Sequence, residues 1–173
     1  MATPPASQMP SYIEDGLYEL AFLGYSQNPT PGEPPNIDGK YVTAKRGVGH
    51  PVEIDSRDPI SPDFQRWLLE TDPSNYRTRI YDSKRELGFQ DRSFPSPVML
   101  SPTPSDYVLE IVSHVNDSKI ITLRSDAPEG GFQPPIMSAT DYVKVAENSK
   151  QLTVDRLGMP APLPFWIVIP VKP

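Results

Sequence analysis

Gly16-Leu17-Tyr18-Glu19-Leu20-Ala21-Phe22 decides the fold class. Tyr18, Leu20 and Phe22 recur at every second position, which is the period of a strand with one buried face. Similar short runs follow along the chain, each bounded by Pro, Gly, Asp or Ser. A first group continues with Lys40 to Ala44, Pro51 to Ile54 and Gln65 to Glu70. A second holds Tyr76 to Tyr81, Glu86 to Gln90, Val98 to Leu100 and Tyr107 to Val112. A third holds Lys119 to Arg124, a weak run at Ile136-Met137, Tyr142 to Val145, Leu152 to Asp155 and Phe165 to Ile169. One weak run of the third group is expected to be loop.

Proline explains why the runs stay short. The chain has 23 prolines in 173 residues, against a usual share of about 5%. They lie between the apolar runs. Each removes a backbone donor and fixes φ, so long helices are forbidden and stiff connections favoured. The only helical pattern is Ile60 to Glu70, where Ser61-Pro62 could start a helix and Phe64, Trp67 and Leu68 share a face. A loop entering a strand fits the flanking sequence better.

Twelve strands in three groups of four predict an all-β chain, specifically a β-trefoil: a six-strand barrel capped by three hairpins. The barrel-closing strands are expected at Trp67, Tyr107–Ile111 and Trp166, with both tryptophans buried. A β-sandwich is the alternative. Residues 1–12 read as a flexible tail, and 13–173 as one domain.

Composition narrows the function. The net charge is −6 and there is no basic patch, a poor match to nucleic acid. Cysteine is absent, which excludes disulfides, zinc-thiolate sites and a cysteine nucleophile. Met1-Ala2-Thr3-Pro4-Pro5 lacks the features of a signal peptide, and no run has membrane-spanning length. The expectation is a cytoplasmic monomer that binds no membrane.

Catalytic and metal chemistry find little support. His50 and His114 both read as turn residues, and no nucleophile elbow accompanies them. Asp82, Glu86 and Asp91 are acidic, but a solvated hairpin accounts for them, and no metal or cofactor is expected. Gln65-Arg66-Trp67 is a QxW, a motif that recurs in trefoil lectins similar to ricin B chain. It occurs once here rather than three times, so Trp67 is read as core and a carbohydrate-binding lectin as an alternative function.

The loops carry more information. Between the first two strands lies a connection containing Asn28, Pro29, Thr30, Pro31, Gly32, Glu33 and Pro34, longer than an ordinary hairpin loop. Thr30 to Glu33 has the sequence of a type II turn, with Gly32 where positive φ is needed. Between the third and fourth strands, Ser56, Arg57, Asp58, Pro59, Ile60, Ser61 and Pro62 form a second proline-stiffened loop. Such loops lose little entropy on binding. A solvated insertion is the bland account of the first, and the two readings stand side by side.

Several of these segments, in this order, resemble one family. Glu14-Asp15-Gly16-Leu17-Tyr18, Asn28-Pro29-Thr30-Pro31-Gly32, Gly39 to Ala44, Pro51-Val52 and Pro164-Phe165-Trp166-Ile167 are similar to the mycocypins, fungal cysteine-protease inhibitors that include clitocypins and macrocypins. The resemblance is clearest over 13–70 and at the last strand. It implies a β-trefoil, no enzymatic activity, and reversible occlusion of papain-like proteases by Asn28–Pro34 and Ser56–Pro62.

The hairpin at Asp82, Ser83, Lys84 and Arg85 departs from the family pattern. Some mycocypins carry a legumain-inhibiting Asn there, and this chain has none. Lys84 and Arg85 would suit a trypsin-like protease with an acidic specificity pocket, which makes a serine-protease inhibitor a second alternative. Two solvated basic residues are the simpler account. If inhibitory, the hairpin is expected to form a surface separate from the two loops.

Overall fold

The computed structural model describes residues 12–25, 37, 39–44, 46–92, 95–126, 139–158 and 161–173. Among them the chain is all-β. Its strands are β1 (Gly16–Gly24), β2 (Tyr41–Thr43), β3 (Glu53–Asp55), β4 (Trp67–Thr71), β5 (Thr78–Asp82), β6 (Gly88–Gln90) and β7 (Ser96–Pro97). Then follow β8 (Met99–Ser101), β9 (Tyr107–Val115), β10 (Ser118–Ser125), β11 (Ala139–Val145), β12 (Leu152–Gly158) and β13 (Phe165–Pro170). No helix among the described residues is long and apolar enough to cross a membrane.

Six strands close on themselves. β1 pairs with β4, β4 with β5, β5 with β9, β9 with β10, β10 with β13, and β13 returns to β1, all antiparallel. Closure leaves no free edge in the ring. Three antiparallel pairs lie off it: β2 with β3, β6 with β8, and β11 with β12. They meet in a cycle of backbone hydrogen bonds. Val52 N–H donates to Val98 O at 2.8 Å, Val98 N–H to Leu152 O at 3.0 Å, and Leu152 N–H to Val52 O at 2.9 Å. All three side chains are fully buried, so each donor finds its partner where water cannot supply one.

Strand periodicity becomes packing inside the ring. Trp67, Leu69, Ile80, Phe89, Tyr107, Leu123 and Trp166 share one apolar cluster with Leu20 and Phe22 of β1. Both tryptophans are buried, as expected, and their indole N–H groups are satisfied in parallel fashion. Trp67 Nε1 donates to Val42 O at 3.0 Å and Trp166 Nε1 to Val143 O at 2.9 Å. Each therefore ties a ring strand to an outlying pair. The alternation of β1 is only half the story, because Ala21 is also buried, in a smaller cluster with Tyr41 and Ile167.

Several details differ from expectation. The described residues contain thirteen strands rather than twelve. The addition, β7, is two residues long and lies at the edge against β12, a position that tolerates Pro97. The Ile60–Glu70 stretch does run as a loop entering a strand, as expected, with only a 3₁₀ turn at Pro62–Gln65 that has proline at its start. His114 is not in a turn. It lies on β9 opposite Lys119, because Asn116 takes the left-handed conformation (φ 54°) and makes the turn tighter. The weak run at Ile136-Met137 lies outside the described residues.

Candidate functional site

The loop after β3 is held from behind by one buried side chain. Gln65, at the end of the 3₁₀ turn, is 2% exposed. Its Oε1 accepts the Asp58 N–H at 2.8 Å. Its Nε2 donates to Ser56 O at 2.8 Å and to Thr43 Oγ1 at 3.0 Å. Thr43 Oγ1 in turn donates to Tyr41 O at 2.8 Å. The loop base is thus bolted to β2 by a chain of hydrogen bonds, of which the links from Gln65 to Thr43 and Tyr41 are buried. Sequence reasoning noticed Gln65 only as part of a QxW and missed this role. The signal was an uncharged polar residue next to a buried tryptophan.

Asp58 fixes the tip. Its Oδ1 accepts the N–H groups of Ile60 and Ser61, both at 3.0 Å, an arrangement typical of aspartate in turns. Ser56 N–H donates to Asp55 Oδ1 at 2.8 Å, and Arg57 Nη2 lies 3.4 Å from the buried Glu19 Oε1 of β1. Pro59 and Pro62 remove backbone freedom on either side of the tip. On this frame Ile60 stands 89% exposed. A large aliphatic side chain on a braced loop tip is what an anchor for an apolar pocket looks like.

The Asp82–Arg85 hairpin adjoins the loop after β3. Ser83 Oγ donates to Asp63 O at 3.4 Å. Ile60, Ser61 and Pro62 line one open groove of about 560 Å³ together with Asp82, Ser83 and Lys84. Strand order explains this, since β4 links the two segments and pairs directly with β5. The groove floor includes Arg66, whose Nε is buried without a hydrogen-bond partner.

Lys84 and Arg85 differ sharply. Arg85 is pinned: its Nε donates to Glu70 Oε1 at 2.6 Å and its Nη2 to Glu70 Oε2 at 3.0 Å. Its guanidinium carbon lies 4.9 Å from the Tyr81 ring centre. The hydrogen bond from Arg85 holds the Glu70 carboxyl below the usual carboxylate range. Lys84 is exposed and has no ion pair among the described residues. It is the third residue of a tight turn closed by Arg85 N–H to Asp82 O at 2.9 Å.

The chain matches no protein-family model and no curated protein.

The remaining sequence candidates fall as follows. Asn28 to Pro34 lies outside the described residues. Asp91 does not belong to a solvated hairpin: it is 5% exposed and accepts Tyr107 Oη and Ser125 Oγ, both at 2.7 Å. Burial, with Asp91 alongside, pushes the Tyr107 hydroxyl well above its usual pKa, so it stays a neutral donor. Among the described residues no group of His, Asp and Glu is placed to hold a metal ion. Trp67 is fully buried and turned into the core, so it offers no ring to a sugar.

Proposed function

We propose that this protein is a β-trefoil that inhibits papain-like cysteine proteases by occluding their active-site cleft. The trefoil reading is supported by the six-strand ring, its three outlying pairs and the cyclic bonding of Val52, Val98 and Leu152. The inhibitory reading rests on the resemblance to mycocypins and on one observation above others. Ile60 is presented, 89% exposed, on a loop whose backbone is already braced by Gln65 and Asp58. Little further ordering is needed when such a loop enters a groove.

The same geometry supports blocking rather than being cut. A substrate lies extended in a protease cleft and lends its backbone N–H groups to the enzyme. Here the N–H groups of Ile60 and Ser61 are both spent on Asp58, and Pro59 and Pro62 have none. Asn28–Pro34 enters the proposal from sequence, as the second prong. The protein acts without a cofactor, as a monomer in the cytoplasm.

A trypsin-directed reading would draw on Lys84 alone, since Arg85 is committed to Glu70 and Tyr81. The tight turn at Lys84 is unlike the extended backbone of a substrate-like loop, which favours the cysteine-protease reading. Titration of papain with the purified protein tests it. Stoichiometric or near-stoichiometric loss of activity, with the inhibitor recovered intact, is expected. Full papain activity at about 1 μM inhibitor, a concentration at which even modest binding registers, refutes the proposal.

A further inference from the structure

A second groove, of about 390 Å³, shares no lining residue with the first. Its rim carries Tyr12 and Tyr76, 43% and 59% exposed. Their ring centres are 6.0 Å apart with the planes tilted by 45°, so they form an open V rather than a closed stack. Tyr76 sits at φ 58°, a conformation that a bulky side chain adopts only under strain. The ring it carries stays largely in solvent.

The wall of the groove is polar where it matters. Arg124 of β10 lines it, and its Nε is buried without a hydrogen-bond partner. Neither Arg124 nor Glu110 of β9 makes an ion pair among the described residues. Both charges are therefore uncommitted among the described residues and open to the polar groups of a ligand. Val108, opposite Arg124 in the β9–β10 pair, adds apolar surface to the same groove.

From this arrangement we infer that the groove binds a pyranoside. The apolar C–H face of a sugar ring fits against an exposed tyrosine, and its hydroxyls both accept from guanidinium and donate to carboxylate. A volume of this size suits one or two sugar rings and not a long chain. The site is independent of the QxW segment and of the protease-facing loop.

The test uses a panel of methyl α- and β-pyranosides of glucose, galactose, mannose, N-acetylglucosamine and glucuronic acid, followed by saturation-transfer NMR on the full chain. At least one is expected to bind with a Kd on the order of 1 mM or tighter, with saturation strongest on the ring C–H protons. Tyr76→Gly deletes the ring while relieving the strained backbone, so it should keep or raise the melting temperature. It should weaken binding at least tenfold, about the effect of losing a principal contact. Arg124→Gln should do likewise, and neither should alter papain inhibition. Absence of binding by every pyranoside at about tenfold above that Kd, or binding that survives both substitutions, overturns the inference.

Discussion

The Asp58 N–H donates to Gln65 Oε1 at 2.8 Å, across a gap of seven residues, and makes an exposed loop part of the buried structure. Two stiffening devices meet in this bond. Prolines restrict the unfolded loop, whereas Gln65 fixes the folded one. Ile60 inherits its position from both.

Gln65→Leu therefore separates rigidity from contact. It keeps the volume roughly constant, but leaves Asp58 N–H and Ser56 O without their Gln65 partner and takes one of two bonds from Thr43 Oγ1. Stability should fall by about 1–3 kcal/mol, the penalty of buried polar groups left unpaired. Protease inhibition should weaken although the residue touches no protease. Chemical denaturation and inhibition assays on the same samples check both outcomes.

Trp67→Ala should cost about 3–5 kcal/mol, as large core truncations do. It empties the centre of the main cluster and strands Val42 O. Trp166→Ala should cost a similar amount, because its indole makes the corresponding bond to Val143 O. Denaturant midpoints measure both.

Gly88 is needed for a close approach. A Cβ there would lie 2.7 Å from Ile80 O and 2.7 Å from Pro104 Cβ. Neither neighbour is the free end of a flexible chain. Gly88→Ala should destabilise by about 1–3 kcal/mol through overpacking, while Gly158→Ala, which meets open space, should change thermal stability little.

These positions show what the sequence could disclose. Apolar alternation and prolines made the strands readable, because burial on one face and absent donors leave local marks. Trp67 and Trp166 were readable as core for the same reason. The Ser83–Asp63 contact was not, since it depends on which strands adjoin and no local pattern encodes that. Nor was the burial of Asp91, which needs Tyr107 and Ser125 brought from distant strands. Tyr76 looked like an ordinary strand residue. Its positive φ comes from the turn that closes with Tyr76 N–H on Asp72 O at 2.8 Å.

Glu70 predicts a pH effect. Arg85 lowers its folded pKa by hydrogen bonding to the carboxylate. A lowered folded value means the contribution to stability is fully present above the unfolded glutamate pKa of about 4.3 and is lost as pH falls through the folded value. The pair is solvent-exposed, so the effect is small. NMR titration should place the Glu70 carboxyl below its usual range in the native protein and return it upward in Arg85→Ala. An unchanged midpoint in that variant would remove Arg85 as the cause.

The central claim is that the braced tip at Ile60 enters a cysteine-protease cleft. Ile60→Asp tests it most directly, with papain inhibition constants compared between the variant and the parent chain. The side chain is 89% exposed and its backbone is held by Asp58, so the fold and melting temperature should be unchanged. A buried charge at the centre of an interface should weaken inhibition by at least about tenfold. Equal inhibition by the two proteins would contradict the account.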